Sequence, residues 1–309
     1  MNGAVNVLLE RCVYTHTALS DLLERMAPFL GISEKLTGKR VLIKPNLISA
    51  YGPVLACTDS RFIVAVVRWF VDHGAVVSVG DSPAFGSAAA VLKRLRVYSE
   101  LIGLGVQVVE FATPRQFTLS DGVKVSVAAE ALDCDLMVNL PKIKAHNQMY
   151  VTLAVKNIFG IVKGLQKSLL HMQHGDTHHR FAKIILDLVD LLPEHLTIAD
   201  GIEAMHISGP LQGKSLALQC VAGSLNPLAI DTALLAALEL APKMSPLWLE
   251  ADRRKCWGAM LADIDFPFLQ PFDFHGSGFR APESLSPVRF NPLRFLQGTM
   301  KRILLALRS

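Results

Sequence analysis

The residues with the widest chemical repertoire lie close together between positions 135 and 160, where an apolar run gives way to Lys142, Lys144, His146, Thr152, Lys156 and Asn157. Lysines crowded at one site repel each other unless an anion neutralises them, and crowding can lower a lysine pKa far enough to make it a base or a nucleophile. Either use would suit Lys144 and Lys156, while Lys142 could hold the ligand's charge. His146 could carry out acid/base work or bind a metal. Three more apolar runs also end in polar groups: Lys44 and Asn46, then Asp81 and Ser82, then Asp200 with Gly201 and Glu203. A carboxylate at such a place could orient a lysine, bind a metal or act as a base.

His171, His174 and His178, with His179 and Arg180 following, make a second cluster. At helical spacing the first three would share a face and suit a divalent metal. Gly175 interrupts that helix, and Asp176 or Thr177 looks like the N-cap of a new one. A histidine-rich loop over an anion site is therefore expected, with metal ligation, anion contact and plain surface histidines all open.

The elements that must position these groups read as alternating strands and helices. Residues 136–140 are apolar apart from Asn139, as in a strand covered on both faces, and Pro141 is expected to end it because it has no N–H for a continuing ladder. Residues 41–47 and 75–79 bracket a helix at 60–73, with Thr58, Asp59 and Ser60 as candidate caps and Gly74 as its stop. A single helix is expected at 87–102, a strand at 106–111, a hairpin turning at Asp121-Gly122, a helix at 151–162 and another at 226–240. In that last helix Asp231 lies near the start, where the macrodipole explains it. Gly201, Gly209 and Gly213 are expected in a loop between strands, allowing close backbone approach or positive φ. In the 151–162 helix Thr152 and Lys156 would stand four apart on one face.

The fold class is α/β: a mainly parallel or mixed sheet with helices on both faces and an added antiparallel hairpin. Ligands of such sheets collect beyond the strand C-termini, beside helix N-termini and their free backbone donors. Three regions are expected: a helical lead-in at 1–37, the α/β domain at 38–240, and an arm at 241–309. The arm is rich in Pro and Phe and ends in an amphipathic helix that docks on the core, a partner or a membrane.

The segments VLIKPNL, VGDSP, VNLPKIKAHNQMYVTLAVKNIFG, IADGIEAMHISGPLQG and PLAIDTALLA resemble, in this order, the DUF362 family, over roughly residues 38–240. The Lys-x-His block followed by Thr-x-x-x-Lys-Asn carries most of the likeness. The resemblance implies anaerobic or redox-associated chemistry without a settled reaction, and members often bear a ferredoxin-like iron-sulfur module. A weaker structural likeness to the nickel-pincer lactate racemases accompanies it. This chain departs from the module-bearing members. Cys12, Cys57, Cys134, Cys220 and Cys256 are scattered with no C-x-x-C, so no iron-sulfur cluster is expected within it and any iron-sulfur or ferredoxin-like partner would be another chain. Five scattered cysteines also argue against a disulfide framework and suit a reducing compartment.

A net charge of +4 and a pI near 8.8 are too mild for a dedicated nucleic-acid binder, and no RNA-binding aromatic signature or helix-turn-helix pattern accompanies the basic residues. The mean hydropathy of +0.35 raises the question of a membrane span. The longest uncharged stretch, residues 215–230, is too short and contains Gln219, Gly223, Asn226 and Pro227. A cytoplasmic location is expected, with peripheral membrane attachment or a homodimer through the C-terminal arm as options. The function expected is binding of a small anionic substrate or cofactor in a Lys/His-lined crevice, by an enzyme or, alternatively, by a non-catalytic carrier of a metal or cofactor.

Overall fold

The computed structural model describes residues 3–32 and 36–288. The expected C-terminal helix, with Leu293 to Leu307 at its apolar positions, lies outside the described residues. The chain enters through β1 (Val5–Asn6), β2 (Leu8–Arg11) and α1 (His16–Met26). The N-terminal segment is thus not purely helical, since β2 pairs antiparallel with a strand of the main sheet.

β3 (Arg40–Pro45), α2 (Ser60–Asp72) and β4 (Val76–Asp81) form the first β-α-β unit, with Asp59 as N-cap of α2 accepting from the Arg61 N–H. Thr58, also a candidate cap, is used elsewhere: its Oγ1 accepts from Asn46 N and donates to the Leu140 carbonyl. The single helix expected at 87–102 is two, α3 (Ala88–Arg94) and α4 (Tyr98–Gly103). Arg96 between them has φ of 62°, a left-handed conformation that stops a right-handed helix and that no Gly or Pro announces. β5 (Gln107–Glu110) follows, then the expected hairpin, β6 (Pro114–Thr118) with β7 (Lys124–Ala128), as a separate antiparallel pair.

β8 (Leu136–Leu140) does not end the ladder at Pro141. β9 (Lys142–His146) resumes at once, because the Pro141 carbonyl still accepts from Asp200 N and the side on which an N–H is missing is where β3 has run out. β10 (Tyr150–Thr152) folds back on β9, followed by the short α5 (Ala154–Ile158), then α6 (Gly164–His174) and α7 (His178–Val189). β11 (His195–His206) runs past β8 and then β9, parallel to both, and β12 (Lys214–Ser224) returns antiparallel. α8 (Pro227–Ala237), capped by Asn226, and α9 (Pro246–Arg253) follow, and β13 (Ile264–Asp265) pairs with β1.

The main sheet therefore runs β10-β9-β11-β8-β3-β4-β5, with β12 and β2 attached through β11. It is mixed, with a parallel centre. Alternate residues enter opposite cores: Val41, Ile43, Val77 and Val79 pack with α1 to α4, whereas Leu42 and Met137 pack with α5, α7 and α9. Helices thus cover both faces, as the unbroken apolar runs predict. The described residues contain no helix long and apolar enough to cross a membrane.

At the β9–β11 junction Lys142 Nζ lies 2.8 Å from Asp200 Oδ2 and 2.9 Å from Tyr14 Oη, and Tyr14 donates to Asp200 Oδ1 at 2.6 Å. Both charged side chains are at most 1% exposed. Asp200 also accepts from Asp59 N, so one carboxylate ties β9 and the segments leading into α1 and α2 to β11. Removing one partner of such a pair strands the other without compensation. Lys142→Met is expected to lower unfolding free energy by about 3–5 kcal/mol in urea titrations. Lys142→Met/Asp200→Leu is expected to recover much of that loss, because no charge is then left buried alone.

Candidate functional site

Beyond the ends of β3 and β4 the sheet opens. β8 pairs with β3 up to Leu140 opposite Pro45, but β9 pairs with β10 instead, so the space that a continuing β3 would fill is vacant. A cavity of about 890 Å³ occupies it, bounded by Asn46, Asp81 and Ser82 from the strand ends and by Lys144 and His146 from β9. Thr152, Lys156 and Asn157 add a third wall, and Lys167 and His171 from α6 a fourth.

The helix expected at 151–162 is corrected to strand β10 followed by α5 from Ala154. The β-branched Val151 and Thr152 favour the strand, and the first free N–H groups of α5 are taken by Asp231 from α8, whose Oδ1 accepts from Ala154 N at 2.7 Å and Val155 N at 3.3 Å. Asp231 therefore caps another helix rather than complementing its own. Thr152 and Lys156 do not share a helix face, yet both reach the cavity. Burial pushes the Asp231 carboxyl up to about 8.

A one-way chain of hydrogen bonds crosses the site. Lys144 Nζ donates to Asn46 Oδ1 at 2.7 Å and to the Ala56 carbonyl at 2.6 Å. Asn46 Nδ2 donates to Asn157 Oδ1, Asn157 Nδ2 to Asn139 Oδ1, and Asn139 Nδ2 to Thr197 Oγ1 and the Ala154 carbonyl. An ammonium can only donate, so it fixes the orientation of Asn46, and each amide then fixes the next. Asn139 escapes sequence reasoning because it sits inside an apolar strand. The available signal is that a polar residue in a strand buried on both faces needs a partner.

The lysines divide into two sets. Lys44 is fully buried with Nζ 2.9 Å from Asp81 Oδ1, and Gly160 packs so closely on this pair that a Cβ there would collide with both groups. Lys44 lies beneath the cavity wall, and Lys142 and Asp200 are occupied by the pair described above, with Gly201 beside them packed against Ile143 and the Cys220 carbonyl. Lys144, Lys156 and Lys167 face the cavity without a carboxylate partner among the described residues. Burial lowers Lys144 and Lys167 each to about 8, and burial followed by the charges of Lys167, Lys144 and Lys44 lowers Lys156 to about 7. Lys167 donates to the Ser82 carbonyl, and Ser82 Oγ accepts from Gly164 N, anchoring α6 to the end of β4.

His146 Nδ1 accepts from Gln148 N at 3.1 Å and Met149 N at 3.3 Å, so its proton sits on Nε2. Burial and nearby Lys156 hold it well below its ordinary pKa, as a neutral ring. Thr152 Oγ1 is buried without a hydrogen-bond partner at the cavity wall, a group that a ligand would satisfy.

The histidine-rich loop is replaced by two helices. His171 and His174 belong to α6, and only residues 175–177 separate it from α7, capped by Thr177 as expected. His171 Nδ1 donates to the Val288 carbonyl, His178 Nε2 lies 3.0 Å from the Ser286 carbonyl, and His179 pairs with Glu250. No group of three or more His, Cys, Asp or Glu suited to a metal occurs among the described residues. The expected loop at 200–203 is strand, with a bulge between Gly201 and Glu203. Gly209 is the close approach anticipated from sequence: a Cβ there would strike the Ala145 carbonyl, although its φ is not positive. The segment after Leu240 folds back so that Ser286 and Pro287 border the cavity, held by Gln148.

An α/β protein with a lysine-rich cavity at its strand ends is thus defined, and the chain belongs to the DUF362 family (domain of unknown function), which matches residues 41–236. It is 32% identical over 304 residues to the thylakoid-associated protein sll1697 of Synechocystis sp., covering 97% of this chain and 94% of that protein. Among solved structures it resembles the lactate racemase apoprotein of Thermoanaerobacterium thermosaccharolyticum, with TM-score 0.45 and 15% identity over 74% of this chain and 55% of that one. A Thermotoga maritima protein aligns with TM-score 0.44 and 10% identity over 69% and 56%. The chain thus spans little more than half the length of these two structures.

Asp231 gives a test of what positions α5. A carboxyl whose folded pKa is raised above its unfolded value stabilises fully only at low pH, and the advantage is lost as pH rises from about 4 to about 8. Asn mimics the protonated form. Asp231→Asn is therefore expected to match the native melting temperature at or below about pH 4 and to exceed it by a margin that grows up to about pH 8.

Proposed function

We propose that the protein binds a small carboxylate or phosphate compound in this cavity and acts on it as an enzyme of redox-associated metabolism. One observation carries the reading: Lys144, Lys156 and Lys167 converge on the cavity, and among the described residues none of them is in ion-pair contact with a carboxylate, Asp81 on the same wall being paired with Lys44. Uncompensated cations at a buried wall are unfavourable until an anion arrives. Lys144 and Lys167 hold the anionic group, Thr152 Oγ1 and His146 Nε2–H orient it, and Lys156 is the group closest to exchanging a proton at neutral pH. The apolar parts of the wall exclude water and strengthen each of these interactions. The thylakoid-associated name of the cyanobacterial relative supports work at a membrane surface.

Calorimetry with inorganic phosphate and a set of small carboxylates tests this. Lys156→Met is expected to weaken binding about tenfold or more, which is about 1.4 kcal/mol. Its melting temperature should stay level or rise, because a repelling buried cation has been removed. Affinity should be highest below about pH 7 and fall as pH rises through the range from about 7 to about 8, where the three lysines lose their protons. Full affinity in Lys156→Met, or none for any anion in the native protein, would overturn the reading.

A further inference from the structure

Of Lys44, Lys142, Lys144, Lys156 and Lys167, all but one have the nitrogen tied to an acceptor among the described residues. Lys44 is held by Asp81, Lys142 by Asp200 and Tyr14, Lys144 by Asn46 and the Ala56 carbonyl, and Lys167 by the Ser82 carbonyl. Lys156 is different. Its nitrogen has no hydrogen-bond acceptor among the described residues and rests 4.8 Å from the centroid of the Phe159 ring, facing the cavity. An amine that donates to fixed carbonyl or carboxylate oxygens is kept as ammonium. One that lies on an apolar ring can release its proton and turn its lone pair to a ligand.

The surroundings suit one reaction of a free amine. The cavity is large enough for a small organic molecule, and cationic Lys144 and Lys167 flank Lys156. His146 presents a neutral N–H, its Nδ1 being committed to two backbone donors. We propose that Lys156 is a nucleophile that forms an imine with a small aldehyde or ketone bearing a carboxylate or phosphate group. This rests on the anion-binding reading above and specifies the substrate class.

Lys156 Nζ attacks the carbonyl carbon with its lone pair, and the C=O π electrons move to oxygen, which His146 Nε2–H hydrogen-bonds. Nitrogen gives up one proton and oxygen gains one, leaving a carbinolamine. Nitrogen then forms C=N as the hydroxyl departs, protonated from the Lys144 or Lys167 ammonium, which recovers the proton that nitrogen loses. The sum is amine plus carbonyl giving imine plus water, both amine hydrogens ending on the water, with no oxidant or reductant required. Lys144 and Lys167 donate to fixed oxygen acceptors, which favours their charged form, while burial lowers Lys156 to about 7 so that near neutrality part of its population is free amine.

The full-length protein would be treated with glyoxylate, or with uncharged propanal, in the presence of cyanoborohydride, digested, and mapped by mass spectrometry. The expected result is a reduced adduct concentrated at Lys156, about tenfold greater with glyoxylate than with propanal and suppressed by inorganic phosphate. Lys156→Arg, which keeps the charge and loses the nucleophile, should lose this adduct, with its melting temperature as the check that it folds. Phosphate binding by the native protein with labelling spread evenly over its lysines would overturn the imine proposal and leave anion binding standing. Absence of both phosphate binding and a Lys156 adduct would overturn the two together.

Discussion

Positive charge without enough compensation is the constraint around which this end of the protein is organised. Lys44, Lys142, Lys144, Lys156 and Lys167 all approach the place where the sheet splits, yet among the described residues ion pairing supplies only Asp81 and Asp200. Those two carboxylates lie deeper, and each secures a junction: Asp81 through the Leu47 N–H and Lys44, Asp200 through Tyr14, Asp59 and Lys142. The ion pairs thus belong to the framework. The charge left over is displayed to the cavity, where desolvation converts it into lowered lysine pKa values rather than into stability.

The split itself follows from one residue. Pro141 interrupts donation on one side of the β8–β9 run while its carbonyl keeps the β11 ladder intact. The chain can therefore continue along β11 and abandon β3, and the space so created lies beyond the carboxyl ends of parallel strands. Backbone of β9 faces it with residues two apart, so Lys144 and His146 look the same way. Asn46 and Asn157 bridge the gap that the missing pairing would have filled, and the Lys144 ammonium sets their direction.

Much of this was legible from residue order. Polar groups after apolar runs marked the strand ends, and Asn46, Asp81, Ser82, Lys144, His146, Thr152, Lys156 and Asn157 do line one cavity. What sequence could not separate was Lys142 from Lys144. Both stand at alternate positions after Pro141, and only the pairing of β9 with β11 decides that the first meets Asp200, 58 residues away, while the second meets Asn46. The α5 start was misplaced for a similar reason, since its cap, Asp231, comes from a distant helix. The break at Arg96 had no local signal at all, as an ordinary residue there adopts a left-handed conformation.

The same local distinctions assign different tasks to similar lysines. Lys144 spends two N–H groups on Asn46 and Ala56, so one remains for a ligand and its direction is fixed by the strand. Lys167 is braced by Ser82, which is in turn bonded to the start of α6, so its reach depends on how that helix sits on the end of β4. Lys156 has no such anchor among the described residues, while its helix is held at the other end by the Asp231 cap. In the proposed reaction, a rigid base carrying the Lys156 amine between two cations whose positions are set by hydrogen bonds would separate binding from reaction. The tethered lysines can fix an anionic group in place, and the untethered one retains the freedom of nitrogen geometry that bond formation requires.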